Sequence, residues 1–207
     1  MTTTDLHKAL SQISAIRGQI ARGAEFRGYG PATVTATGVL ALIAALAQSY
    51  WLKAPLRDVG AYLAIWVPTA AVSLLIISLE TFARARRLHS GLAGRMMQAA
   101  AEQFLPAIVA GMLLTVVLLR SAPDSLWMLP GLWQVVFSLG VFASCRFLPR
   151  PMFVVGIWYL GCGLLYLAVG SGSSALSPWA MGVPFGIGQM LVAGVLRIDY
   201  GSNDDRT

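Results

Sequence analysis

The residues that could do chemistry in this chain are few, and most lie in one polar stretch between long apolar runs. Carboxylate, guanidinium and imidazole groups recur over residues 80–102, at Glu80, Arg84, Arg87, His89, Arg95 and Glu102. Such a cluster could bind an anionic lipid head group, a small anion or a partner protein, because guanidinium groups match phosphate and carboxylate geometry. Ordinary exposed ion pairs at two helix ends, each contributing about 0–1 kcal/mol, explain the same pattern and are the simpler interpretation.

Motifs of catalysis are missing from the sequence. His7 and His89 both lie outside the apolar runs, so a haem held between two histidines inside a membrane is not expected. The sequence contains no HExxH, no carboxylate-rich metal box and no glycine-rich phosphate loop. The GSGSS run at residues 170–174 lies in a predicted loop, and no histidine follows it to act as a base. We therefore expect a protein that is not an enzyme and that uses no metal or cofactor.

The composition is that of a polytopic membrane protein. Of 207 residues, 57% are hydrophobic and 12% are charged, and the mean hydropathy is +0.68. An ordinary soluble domain is about 45–50% apolar and about 25% charged, so this chain has too little polar surface to cover a soluble globule. The net charge of +6 comes from basic residues scattered over several loops. This scatter indicates charges that orient a membrane protein and argues against a nucleic-acid-binding face.

Six apolar runs predict six transmembrane helices and an all-α fold. A helix of about 20 residues crosses a hydrocarbon core of about 30 Å. The third run is short unless its helix begins before Glu102. Cys145 and Cys162 fall in different runs at different depths, so two free thiols are expected. The six runs cover residues 33–51, 59–79, 104–119, 127–147, 152–169 and 179–196.

The first thirty residues predict an amphipathic cytoplasmic helix and an elbow. Apolar residues recur there at spacings of three and four, at Leu6, Leu10, Ile13, Ile16 and Ile20. Three arrangements fit so narrow a stripe: lying on the cytoplasmic leaflet, pairing with its copy in a dimer, or docking under the bundle. The predicted organisation is therefore 1–30 for this helix and elbow, 31–197 for the transmembrane domain and 198–207 for a cytoplasmic tail.

The basic residues predict the orientation. With the N-terminus inside, the cytoplasmic segments hold twelve lysines and arginines, and the outer loops hold only Lys53, Arg57 and Arg120. Positively charged residues are enriched on the cytoplasmic side, so both termini are expected to be cytoplasmic. The outer segment 170–177 carries no charge, and we expect it to be a small flexible connector.

The sixth run is the least regular, because residues 181–189 within it include three glycines and one proline. Pro184 removes one backbone hydrogen bond and kinks a helix. Gly182 and Gly186 form a GxxxG pattern that lets another helix approach closely. A kinked, closely packed helix is the simpler interpretation, and a helix that lines a cavity or pathway is the alternative. The cavity would lie between spans three and six, and its candidate residues are Pro106, Gln134, Gly182, Pro184, Gly186 and Gln189.

Four segments carry a resemblance to a known family: FRGYGP, RRLHSGLAG, LPGLWQ and LSPWAMGVPFGIGQ. In these segments the chain resembles an uncharacterised family of six-span bacterial inner-membrane proteins. The resemblance implies a bacterial inner membrane and implies no activity.

Taken with the composition, these patterns predict a non-enzymatic membrane module that senses or binds a partner, a lipid or an apolar compound through the cytoplasmic face and the kinked sixth span. The alternative is a small transporter or channel subunit. The expected partners are the lipid bilayer and either a second copy of the chain or another membrane protein, with no nucleic acid.

Overall fold

The computed structural model describes residues 30–87, 91–148 and 150–204, and within them every regular element is helical. Two short 3-10 helices, Pro123–Met128 and Gly172–Ser174, lead into the fourth and sixth long helices. The long helices are α1 Pro31–Trp51, α2 Val59–Arg87, α3 Gly91–Ser121, α4 Leu129–Ser144, α5 Met152–Val169 and α6 Pro178–Asp204. The described helices include six that are long and apolar enough to cross a membrane, which indicates a multi-pass membrane protein. The predicted amphipathic helix over 4–27 lies outside the described residues.

Local sequence signals explain where the helices begin. Proline occupies the first turn of α1, α4 and α6, where its missing N–H has no helical partner to lose. The carboxylate of Asp58 accepts a hydrogen bond from the Ala61 N–H at 2.9 Å and caps the start of α2. The predicted spans agree with the observed helices, except that α2, α3 and α6 are longer than their apolar runs and α4 is shorter than the predicted 127–147.

The helices form a ring in chain order. Consecutive helices pack against one another, and α6 returns to pack along α1, so that the first and last spans are neighbours. The α1–α6, α4–α5 and α3–α4 contacts are extensive, whereas α2 and α3 touch little. The ring is consequently continuous except at the seam between α2 and α3.

Small residues explain the tight packing of α6 on α1. A Cβ added at Gly182 would lie 2.5 Å from Ala45 Cβ, and one added at Gly186 would lie 3.0 Å from the Leu42 side chain. In lipid, helices associate through close van der Waals packing at such small residues. The predicted GxxxG pattern thus brings α6 against α1.

The buried side chains form two clusters at opposite ends of the bundle. We call these ends the Trp51 end and the Arg87 end, after the last residues of α1 and α2. The first cluster joins Tyr62, Trp66, Leu129 and Leu176 near the Trp51 end. The second joins residues of α1, α5 and α6 near the Arg87 end, namely Val34, Met152, Val155, Tyr159, Val192, Ala193 and Leu196.

Candidate functional site

The polar stretch forms the connection between α2 and α3. The α2 helix runs past Arg84 to Arg87, and α3 begins at Gly91. Residue His89 and the side chains of Arg84, Arg87 and Arg95 lie outside the described part. The predicted polar cluster therefore stays a prediction, and its two acids are the members whose contacts can be described.

Glu80 joins α2 to the start of α1. Its Oε2 accepts a hydrogen bond from the backbone N–H of Gly30 at 3.1 Å, in a half-buried position. Gly30 is the N-cap of α1 and makes no side-chain capping bond of its own. A carboxylate at this helix end satisfies an unpaired donor and also suits the positive end of the helix dipole. Glu80 thus links α2 to the first residue before α1.

Glu102 is bonded along its own helix. Its Oε1 accepts a hydrogen bond from the Gln98 amide one turn earlier in α3, at 2.8 Å, and the side chain is exposed. On α2, the Arg86 guanidinium lies over the Phe82 ring, 4.4 Å from its centroid. Among the described side chains, the two acids of the predicted cluster therefore make separate contacts, one toward α1 and one along α3.

Gln134, a candidate for the predicted cavity, is fully buried and joins α4 to α6. Its Nε2 donates to the carbonyl of Pro130 at 3.1 Å within α4 and to the carbonyl of Ala180 at 2.8 Å in α6. In a regular helix the Ala180 carbonyl would accept the N–H of residue 184, which proline does not have. The glutamine amide therefore supplies the hydrogen bond that Pro184 removes.

A second side chain supports the same irregular turn. The indole N–H of Trp158 in α5 donates to the Pro184 carbonyl at 3.0 Å. Neighbouring helices commonly satisfy backbone groups at a proline inside a membrane. Two helices thus donate to α6 where the proline interrupts it.

The remaining cavity candidates do not converge on one space. Gly182 and Gly186 of α6 lie against α1. The side chain of Gln189, also in α6, packs beside Gly38 of α1. On the other side, α3 packs on α4, where Phe104 lies against Gly140. Pro106 of α3 is exposed. The observed neighbours of α6 are chiefly α1 and α5, and the pathway between spans three and six stays a prediction.

A hydrogen-bonded turn before α6 is a feature that the sequence did not predict. Leu176 is fully buried and has a φ of 52°, in the left-handed region that side chains rarely adopt. Its carbonyl accepts the Gln48 amide at 2.7 Å, and its N–H donates to the Tyr166 hydroxyl at 2.9 Å. The Gln48 oxygen in turn accepts the Trp66 indole N–H at 2.6 Å. The predicted flexible connector is thus held by α1, α2 and α5 together.

The surface carries a shallow apolar groove between α1 and α2. Its volume is about 540 Å³, and its lining includes Val39, Ile43, Val72 and Ile76. The lining is suited to acyl chains, because it consists almost entirely of hydrocarbon. Within the described part, no group of three or more His, Cys, Asp or Glu side chains could hold a metal ion.

Comparison with models of known protein families, with curated proteins and with solved structures finds no match.

Proposed function

We propose that this protein is a non-enzymatic membrane module that binds a protein partner through the exposed faces of α2 and α3. It would lie in a bacterial inner membrane with both termini in the cytoplasm. The orientation rests on the distribution of basic residues, and the membrane rests on the family resemblance described above.

The low burial of α2 and α3 carries the proposal, and the use of Gln134 supports a packed interior. This amide is the most buried of the polar groups expected to line a pathway, and it is occupied in bonding α4 to the Ala180 carbonyl of α6. The buried polar side chains of the described part are uncharged, namely Thr37, Gln48, Gln134, Ser138 and Ser144. Interhelical bonds of this kind contribute about 0.6 kcal/mol each on average, which suits a packed scaffold.

The recognition surface follows from the open seam of the ring. In an apolar stretch of 18 residues, only 11% of α2 and 11% of α3 is buried within the chain. The corresponding buried share is 39% in α1 and 44% in the segment Pro123–Ser144, which contains α4. The exposed side chains on these two helices include Leu75 at 57% and Leu113 at 61%. A partner helix at the seam would cover the apolar faces of α2 and α3 that the described residues of this chain leave exposed.

Photo-crosslinking tests this surface. A photoreactive amino acid at position 75 or 113 should form adducts with protein in cells. The matched control is Leu165 of α5, which is 64% exposed and should give lipid adducts only. Equal protein adducts at all three positions, or lipid adducts alone at positions 75 and 113, would contradict the proposal.

A small transporter or channel subunit is the second candidate. It is favoured by two buried polar atoms that have no hydrogen-bond partner among the described protein groups, the hydroxyl of Tyr62 and the side-chain oxygen of Gln134. Unsatisfied polar atoms inside a membrane are typical of a solute path. Proteoliposomes containing the protein would then be more permeable to water or small solutes than protein-free vesicles, and the difference would be lost in Gln134→Leu.

A further inference from the structure

The start of α6 is surrounded by polar side chains from four other helices. Gln48 of α1 and Tyr166 of α5 bond the backbone of Leu176, and Gln134 of α4 bonds the backbone of Ala180. Tyr62 of α2 belongs to the same buried cluster as Leu176 and Met181. Residues 176–181 therefore meet polar groups within an otherwise apolar core.

Most of these polar groups are satisfied by protein atoms. Both ends of the Gln48 amide are bonded, the nitrogen to Leu176 and the oxygen to Trp66. The Tyr166 hydroxyl accepts from the Leu176 N–H and donates to the Ser174 carbonyl at 3.1 Å. Buried polar groups in proteins are usually paired in this way, so each exception calls for an explanation.

Two exceptions border this segment. The Tyr62 hydroxyl and the Gln134 Oε1 are buried without a hydrogen-bond partner, and both side chains are 0% exposed. The orientation of the Gln134 amide is fixed, because its nitrogen donates to two carbonyls. The amide oxygen only accepts hydrogen bonds, so it could not take the place of the nitrogen beside these carbonyls. The ring of Tyr62 is likewise held, stacked on Trp133 at 6.2 Å and tilted against Trp66 at 6.4 Å.

The chemistry of the two atoms specifies which kind of hydrogen-bond partner can satisfy them. The Gln134 oxygen only accepts, so its partner must donate a hydrogen, and the Tyr62 hydroxyl can either donate or accept. An anion without a proton cannot donate to the amide oxygen, and an apolar group satisfies neither atom. Water meets both requirements, and internal water is the usual partner of buried polar atoms that protein leaves unpaired.

We infer that the core around the start of α6 contains internal water, which donates to the Gln134 side-chain oxygen and hydrogen-bonds to the Tyr62 hydroxyl. This hydration is independent of the proposed binding of a partner, because it concerns the interior of the bundle. It would make the packing of α4 against α6 depend partly on bound solvent.

Tyr159 provides a matched comparison. Its hydroxyl is also buried without a partner, and its ring is packed among Phe137 and Phe185 with centroid distances of 4.7 and 5.0 Å. The hydroxyl lies against Gly188 and within hydrogen-bonding reach of the Gln189 side chain. Tyr159 therefore requires no internal water.

X-ray radiolysis of the whole protein in detergent tests the inference, because hydroxyl radicals formed from bound water label adjacent side chains even where bulk solvent has no access. Tyr62 should be labelled at least several-fold faster than Tyr159. Labelling of Tyr62 no faster than Tyr159 would overturn the inference.

The sign of a stability change gives a second test. If water satisfies the Tyr62 hydroxyl, Tyr62→Phe removes a hydrogen bond and should lower the midpoint of thermal unfolding by about 2 °C or more, whereas Tyr159→Phe should leave it unchanged or raise it. If the hydroxyl is truly unpaired, its removal relieves a desolvation penalty. A higher midpoint in Tyr62→Phe would therefore also overturn the inference.

Discussion

The side-chain amide of Gln134 donates to the carbonyl that Pro184 leaves without its helical partner. The two residues are fifty positions apart, and the contact between Gln134 Nε2 and the Ala180 oxygen is 2.8 Å long. An unsatisfied carbonyl is costly in lipid, so a proline inside a span needs a donor from a neighbouring helix. The irregular turn of α6 is thereby made compatible with a packed bundle.

This relationship predicts energetic coupling between positions 134 and 184. Gln134→Leu should destabilise the native protein by about 1 kcal/mol, because the Ala180 carbonyl loses its donor. In a Pro184→Ala background the restored backbone N–H bonds this carbonyl, so the same substitution should cost about half as much or less. Unfolding of the four variants in detergent measures the cycle, and additive effects would show that the two positions are not coupled.

The packing of α6 on α1 predicts opposite outcomes for two glycine substitutions. Alanine favours a helix over glycine by about 1 kcal/mol, so Gly161→Ala, with open space around it, should stabilise the protein. Gly182→Ala should destabilise it by about 1 kcal/mol or more, because the new methyl group would clash with Ala45. Midpoints of thermal unfolding distinguish the two variants, and stabilisation by both would contradict the observed α1–α6 contact.

The contact between Glu80 and Gly30 predicts a local change in backbone protection. Glu80→Ala should speed hydrogen exchange of the Gly30 amide severalfold, because this donor loses its acceptor. Glu80→Gln should have a smaller effect, since an amide oxygen still accepts. The matched control is Glu102→Ala, which removes an acid bonded within α3 and should leave the Gly30 amide unchanged. Equal exchange in all variants would argue against the capping role.

Burial predicts the reactivity of one thiol. Cys145 follows the last residue of α4, and partial burial raises the pKa of its thiol above the ordinary value. The thiolate is the reactive form, so a raised pKa lowers its fraction at neutral pH and moves the rise in reactivity to higher pH. In a Cys162→Ala variant, the pH midpoint of alkylation should exceed that of an unstructured cysteine peptide. A midpoint at or below the peptide value would show that the thiol is not desolvated.

The distribution of basic residues predicts which side the loops face. In a variant without native cysteines, Ser173→Cys should react with a membrane-impermeant maleimide added outside intact cells. Arg150→Cys, placed in the connection before α5, should react only after the membrane is permeabilised. The reverse pattern would invert the proposed topology.

Hydropathy and local signals were sufficient for the architecture. The lengths of the apolar runs predicted the six long helices, because hydropathy depends on neighbouring residues alone. Composition similarly drew attention to Gln134 and Pro184 as unusual groups within spans. Composition did not predict which groups Gln134 and Pro184 contact, or that the glutamine amide bonds the carbonyl left free by the proline.

The tertiary structure decided which faces meet. Gly182 and Gly186 could have packed on any neighbour, and they lie against α1 because the ring closes between the first and last spans. Leu176 is buried at a positive φ because Gln48, 128 positions away, bonds its carbonyl. Such pairings depend on how whole helices are arranged. Because the apolar surfaces of the helices are similar, only their packing specifies that arrangement. The sequence alone therefore determined the spans, and the three-dimensional fold determined what their few polar groups do.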